Sequence, residues 1–227
     1  VARLIEGLDA GRIRANLERI REEIAAAATR APAPGPAGRP AVEILAACKY
    51  VAAGDMHLLA EAGIKVVGEN RAQDLREKFL ADGDLFQWDF IGQLQSRKVP
   101  LIVPFVRLIH SVASASALAQ LERSLHLARP GLRILLEVNV AGEAGKAGIP
   151  PAELDGMIAR SPVPVAGLMT MPPLAAEPQE SRPWFAALRE LARERGLEHL
   201  SMGTSQDYLV AVEEGASIVR IGTTLYD

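Results

Sequence analysis

Apolar residues recur along this chain in two rhythms. Near the start, Ile13, Leu17, Ile20 and Ile24 are spaced by four, three and four, so they share one face of a helix, with Arg14, Glu18, Arg21 and Glu22 on the other side. The alanines at 25–28 extend this predicted amphipathic helix. The run Ala31-Pro32-Ala33-Pro34-Gly35-Pro36 stops it, because proline has no N–H to continue the ladder. No independent core precedes that run, so it reads as a loop within one domain.

From residue 42 the rhythm changes. Short apolar runs at 44–48, 64–67, 88–91, 108–112, 134–140, 165–169, 199–202 and 218–221 predict eight strands. Segments of helical character separate them at 56–62, 72–80, 94–102, 115–127, 151–159, 182–195 and 206–213. Strands alternating with helices imply right-handed crossovers and a parallel sheet. Eight such strands fit an α/β fold, a closed (β/α)8 TIM barrel with an extra N-terminal helix, as one domain over 1–227. An open doubly wound sheet is the alternative, since periodicity does not show closure.

Composition narrows the classes of function. A length of 227 residues suits one barrel, and a net charge of -3 argues against a nucleic-acid binder, which would carry a basic excess. The single cysteine, Cys48, excludes a disulfide framework and a cysteine-rich metal site and fits a reducing cytosol. No apolar stretch reaches membrane-spanning length, and the first 21 residues are charged throughout, unlike a signal peptide. The expectation is a cytoplasmic protein without a membrane partner.

Lys49 ends the first apolar run, with no acidic residue following it before Asp55. A cation at the mouth of a buried strand is costly to keep protonated, and a neutral lysine amine attacks carbonyls to form Schiff bases. Other strand ends also carry polar residues: Glu69-Asn70, Gln93, His110-Ser111, Asn139 and Thr170. Each alone reads as a strand cap satisfied by loop backbone; together on one rim they favour a ligand site.

The last two units are sharper. Ser201-Met202-Gly203-Thr204-Ser205 leads into a helix beginning near Gln206, and Arg220-Ile221-Gly222-Thr223-Thr224 forms a second glycine-hydroxyl turn. One such turn reads as an ordinary N-cap, with Asp207 supplementing it. Two adjacent turns after strands seven and eight favour phosphate. With Lys49, they suggest a phosphorylated aldehyde held covalently. Arg220, inside an apolar strand, must be paired: either an ion pair with Glu69 or Glu137, or a donor aimed at a ligand.

Other features carry less. His57, His199 and Cys48 lack partners at metal-ligand spacing, so no metal is expected. There is no G-x-S-x-G elbow and no phosphate-binding G-x-x-x-x-G-K-[ST] loop. The glycine-rich stretch at 142–148 reads as a flexible rim loop, from which Lys146 could supply a second cation. Trp88 and Trp184 read as packing residues.

On these residues the chain resembles the pyridoxal phosphate homeostasis family, whose barrel is like the N-terminal domain of alanine racemase. The likeness rests on Ala47-Cys48-Lys49, Gly68-Glu69-Asn70, the run from Phe90 to Lys98, and His110-Ser111-Val112. It continues through Val138-Asn139 with Glu143, Lys146 and Gly148, then Gly167-Leu168-Met169-Thr170-Met171, Leu200 to Ser205 with Asp207, and Val219 to Thr223. It implies pyridoxal 5'-phosphate as cofactor, with Lys49 as the Schiff-base lysine and Asn70 on the ring-hydroxyl side. Ser201, Gly203, Thr204, Ser205, Gly222 and Thr223 match phosphate-binding positions, and Arg220 matches the arginine facing the pyridine nitrogen. Cys48, Gln93, Arg97 and Ala113 depart from the family's usual serine, histidine, asparagine and aspartate, and Tyr226-Asp227 replaces its Phe-Gly, with the final helix short or missing.

The resemblance implies a carrier in intracellular vitamin B6 homeostasis without robust catalysis, with pyridoxal-phosphate-dependent apoenzymes as recipients; lack of a second domain makes a monomer the simplest expectation. Its rival is an amino-acid racemase, which needs a second base on the opposite face; Tyr50 or His110 could substitute for the one that alanine racemase takes from a further domain. An aldolase or phosphosugar barrel ranks last and would need Glu69 as its acid-base partner.

Overall fold

The computed structural model describes residues 4–32 and 41–227. The helix predicted from the first rhythm is α1 (Ala10–Ala28), capped by the Asp9 side chain, which accepts from the Arg12 N–H at 2.7 Å. It buries Ile13, Leu17, Ile20 and Ile24, the face read from spacing. Of the run expected to stop it, residues 33–36 lie outside the described residues.

The eight strands are β1 (Glu43–Ala47), β2 (Val66–Glu69), β3 (Gln87–Phe90), β4 (Leu108–Val112), β5 (Arg133–Glu137), β6 (Val165–Met169), β7 (His199–Thr204) and β8 (Ile218–Ile221). All neighbours pair in parallel, and β1 pairs with β8 through Glu43–Ile218 and Leu45–Arg220, so the sheet is a closed barrel. Closure sets aside the open sheet. Between the strands run α2 (Met56–Glu61), α3 (Ala72–Asp82), α4 (Val99–Ile102), α5 (Ala115–Ser124), α6 (Leu154–Ala159), α7 (Arg182–Glu194) and α8 (Tyr208–Glu213), followed by one turn, α9 (Thr223–Tyr226).

Several boundaries differ from the apolar runs. β2 begins two residues late and extends to Glu69, and β7 runs on to Thr204, because strands continue into polar residues at the barrel mouth. β5 ends at Glu137, and Val138 makes only an isolated bridge to Ile149. Helix α4 is shorter than expected, since residues 96–98 form a tighter 3-10 turn ahead of it.

Two apolar layers build the barrel. Leu45, Val66, Leu108, Leu135, Met169 and Ile218 cluster together, drawn one from each of six different strands. The larger core lies between strands and helices, with Trp88 and Phe185 fully buried in it. α1 packs against α8, α9 and α2. Asn16 Nδ2 donates to the carbonyls of Leu225 (3.2 Å) and Asp227 (2.9 Å), tying α1 to the last turn.

Candidate functional site

The carboxyl ends of the strands open onto a cavity of about 800 Å3. Lys49 and Tyr50 line it after β1, Asn70 after β2, Gln93 after β3, Glu137 at the end of β5 and Arg220 on β8; Thr204, Ser205, Gly222 and Thr223 line it from the last two turns.

Lys49 is only partly buried, and its Nζ lies 4.4 Å from the centroid of the Tyr50 ring. The expected deep desolvation is therefore not met; the amine rests on an aromatic face at the cavity wall. Its loop is fixed from below. Buried Lys78 donates to the Cys48 carbonyl (2.7 Å) and forms an ion pair with buried Glu69. Glu69 Oε1 accepts the N–H groups of Asn70 (2.6 Å) and Arg71 (3.1 Å). One buried pair thus fastens the loop bearing Lys49 to the loop bearing Asn70. Glu69 is committed there, fully buried, so it cannot be the acid-base partner of an aldolase. Burial and the Glu69 charge push the Cys48 thiol upward, which keeps it protonated.

Asn70 is placed by close backbone packing. A Cβ on Gly92 would lie 1.9 Å from the Asn70 carbonyl oxygen, so only glycine lets the loop after β3 pass there. The Asn70 Oδ1 is buried without a hydrogen-bond partner among the described residues, although buried polar atoms nearly always have one.

The two glycine-hydroxyl turns meet. Ser205 Oγ accepts the Gly222 N–H at 3.0 Å, and Asp207 Oδ1 accepts the Thr204 N–H at 2.8 Å and its hydroxyl at 3.2 Å. Asp207 thus secures the turn rather than capping the helix, and α8 starts at Tyr208, later than expected. The N–H groups of Ser205, Gln206 and Thr223 have no partner among the described residues. Gly203 adopts φ +89°, and a Cβ there would lie 2.6 Å from the Ala211 Cβ and 2.9 Å from the Tyr208 Cα. It serves the close packing of α8 under the turn and is not part of the cavity wall. The register of β7 against β8 slips between Ser201 and Thr204, the bulge that this glycine accommodates.

Arg220 makes no ion pair with Glu69 or Glu137. Its Nη1 donates to Ser201 Oγ (2.6 Å) and its Nη2 to the Thr170 carbonyl (3.0 Å) and Met171 Sδ (2.8 Å). Burial pulls its pKa down to about 10, with Asp207 and Glu137 opposing that shift. Glu137 is 7% exposed and its carboxyl has no hydrogen-bond partner among the described residues; burial holds that carboxyl above the usual range, against the nearby Arg220 charge. Ser201 is fully buried, its hydroxyl spent on Arg220 and His110, so it supports the site from beneath rather than lining it. His110, proposed above as a substitute base, is also fully buried, with both ring nitrogens engaged by Ser201 and Asp89.

Seven of the nine cofactor residues expected from sequence therefore share one cavity; Ser201 and Gly203 stand behind it. Asn139 and Thr170 are backbone fasteners, bonded to Glu143 and to the Val138 carbonyl. Lys146 reaches the wall, paired with Glu143 at 2.6 Å. Sequence reasoning missed Ile5, Met169 and Met171 as wall residues. Met169 was accessible through the inward alternation of β6; nothing in the sequence placed Ile5, whose N–H donates to the Tyr50 carbonyl at 2.8 Å. No group of three or more His, Cys, Asp or Glu residues among those described could hold a metal ion, and no helix among them is long and apolar enough to cross a membrane.

The chain is similar to known proteins. The family described as alanine racemase, N-terminal domain, matches residues 8–227. A pyridoxal phosphate homeostasis protein of Aquifex aeolicus is 39% identical over 221 residues, covering 92% of this chain and 95% of that protein. The structure of PipY from Synechococcus elongatus PCC7942 with PLP bound is 30% identical and covers 95% of this chain and 100% of that one, with a TM-score of 0.76. Alanine racemase from Bartonella henselae superimposes with a TM-score of 0.69 at 12% identity, covering 96% of this chain and 59% of that one, a likeness of fold alone.

Proposed function

The chain belongs to the alanine racemase N-terminal domain family and, within it, to the pyridoxal phosphate homeostasis proteins, and from that premise we propose that it binds pyridoxal 5'-phosphate as a Schiff base on Lys49 and acts as a carrier rather than a catalyst. The carrying observation is that Lys49, Arg220 and both glycine-hydroxyl turns line one cavity. The residues fit the group. The orphaned Asn70 Oδ1 and the unpartnered amides of Ser205, Gln206 and Thr223 are polar groups that a phosphorylated pyridine can satisfy.

In this reading Thr204, Ser205, Gly222 and Thr223 hold the phosphate, Asn70 stands on the ring-hydroxyl side and Arg220 faces the pyridine nitrogen. When bound, the cofactor supplies an aldehyde for imine formation and an electron-withdrawing ring. Arg220 cannot readily give up its proton, so a cation beside the ring nitrogen disfavours protonation there and weakens the electron sink. Lys49 supplies the attacking amine, and Tyr50 beneath it keeps that amine at the wall. Ser201 and Gly203 act indirectly, the first by holding Arg220 and the second by seating α8.

The racemase alternative loses His110, which does not reach the cavity, and keeps Tyr50 as its remaining second base. A cytoplasmic monomer serving pyridoxal-phosphate-dependent apoenzymes completes the proposal.

The test is the visible absorbance of protein mixed with pyridoxal 5'-phosphate, followed by borohydride reduction and peptide mapping. The label is expected on Lys49, and Lys49→Ala should lose both band and label. A label elsewhere, or no band in wild type, overturns the assignment. Protein-dependent conversion of l- to d-alanine that disappears with Lys49→Ala would favour the racemase.

A further inference from the structure

A continuous polar series crosses the barrel interior beneath the cavity. At the amino-terminal rim, Arg107 joins Glu43 in an ion pair and donates to Asp89 at 2.9 and 3.1 Å. Asp89 Oδ2 lies 3.1 Å from His110 Nε2, His110 Nδ1 lies 2.8 Å from Ser201 Oγ, and Ser201 Oγ lies 2.6 Å from Arg220 Nη1. Asp89, His110 and Ser201 are all closed to bulk solvent.

The chemistry of each group fixes the direction of every bond. A guanidinium only donates, so Ser201 Oγ accepts from Arg220. The Ser201 proton then has His110 Nδ1 as its acceptor, which leaves the imidazole proton on Nε2. There it meets Asp89, whose carboxylate only accepts. A neutral His110 with its proton on Nε2 makes every contact of the series and also gives the serine proton an acceptor, which an imidazolium would not. Its environment agrees: burial lowers its pKa, Arg220 and Arg107 add to that effect, and Asp89 opposes it.

We propose that His110 is a positioning residue. Through Ser201 it sets the rotation of the Arg220 guanidinium at the cavity wall, and Asp89 sets the tautomer that lets it do so. This rests on the cofactor reading above for what Arg220 meets, but not for the hydrogen-bond directions. A protonated or reversed imidazole would aim an N–H at Ser201, leave the serine proton without an acceptor and turn the hydroxyl out of the rotation in which it now receives Arg220. The arginine's orientation therefore depends on a ring that touches no ligand.

The experiment has two arms. In the cofactor-free wild type, 15N NMR of the imidazole is expected to show Nε2 protonated and Nδ1 bare across neutral pH; an Nδ1–H tautomer or an imidazolium overturns the proposal whether or not cofactor binds. In cofactor-loaded protein, His110→Phe keeps a flat ring but removes the acceptor, and should release pyridoxal 5'-phosphate about tenfold faster with a displaced visible band, the scale of one lost buried hydrogen-bond partner. His110→Asn, whose side-chain oxygen can accept from Ser201, should restore band position and most of the retention. If both variants match wild type in band and release, the positioning role is wrong. If wild type itself binds no cofactor, the cofactor reading fails while the NMR result stands.

Discussion

The hydroxyl of Ser205 accepts the backbone N–H of Gly222 at 3.0 Å, so the turn after β7 holds the turn after β8 in place. Thr224 adds to the same junction, its hydroxyl donating to the Ser205 carbonyl at 3.4 Å. Removing the serine hydroxyl frees the part-buried N–H groups of Gly222 and Thr224 and loosens two turns at once. Ser205→Ala combined with Thr223→Val should weaken cofactor retention about tenfold or more while imine formation continues. Equilibrium dialysis against pyridoxal 5'-phosphate reads the first quantity and the visible band the second. Unchanged retention would place the phosphate elsewhere.

Lys78 and Glu69 are buried on the far side of the Lys49 loop, and losing either leaves a buried charge without its partner. Lys78→Met is expected to cost about 3–5 kcal/mol in urea unfolding. Lys78→Met with Glu69→Gln should cost clearly less than the two single changes added together, because no orphaned charge is left. Additive losses would contradict the pairing.

Glu137 carries a pH dependence whose sign follows from its raised pKa. A carboxyl whose folded pKa exceeds the unfolded value of about 4.3 contributes stability that is full below that value and is lost as pH rises through the folded pKa. Cofactor-free Glu137→Gln should therefore gain on wild type as pH is raised from 4 towards neutrality, when wild type must ionise a buried carboxyl. Chemical denaturation of both proteins across that window checks it; a difference constant with pH would remove Glu137 as the titrating group.

Gly203 has no room for a methyl group. With φ at +89° and two contacts below 3.0 Å, Gly203→Ala combines backbone strain with a clash against α8. The expected loss is about 1–3 kcal/mol from strain alone, read in thermal or urea unfolding, accompanied by weaker cofactor retention. A variant as stable as wild type would mean that the turn can relax, and that its shape is not set by this residue.

Much of the barrel was legible because apolar runs report strands that are buried on both faces. Ile218, Val219 and Ile221 sit in such a strand, and its pattern survives a single arginine. Closure was not legible, since the pairing of Glu43 with Ile218 joins residues at opposite ends of the chain and leaves no local trace. Lys49, Asn70 and the two turns, which the structure brings to one cavity, stand out in the sequence because their residue types are unusual at strand ends. Ser201 and Gly203, which match phosphate-binding positions by resemblance, stand behind the cavity, because sequence orders positions along the chain but does not reveal which side of a bulged strand they face. His110 shows the same limit: an imidazole near a strand end looks available until both its nitrogens are seen to be engaged.

The closed ring has a consequence for how the chain comes to be. Lys49 emerges early in synthesis and Thr223 late, and β1 stays an open edge until β8 arrives beside it. On the proposed reading, a nascent chain therefore offers the amine long before the turn that would hold the phosphate. An aldehyde captured at that stage would have only the imine to keep it, a bond that water reverses. On that reading durable loading would be reserved for chains that have finished folding, and bound cofactor would mark a completed barrel.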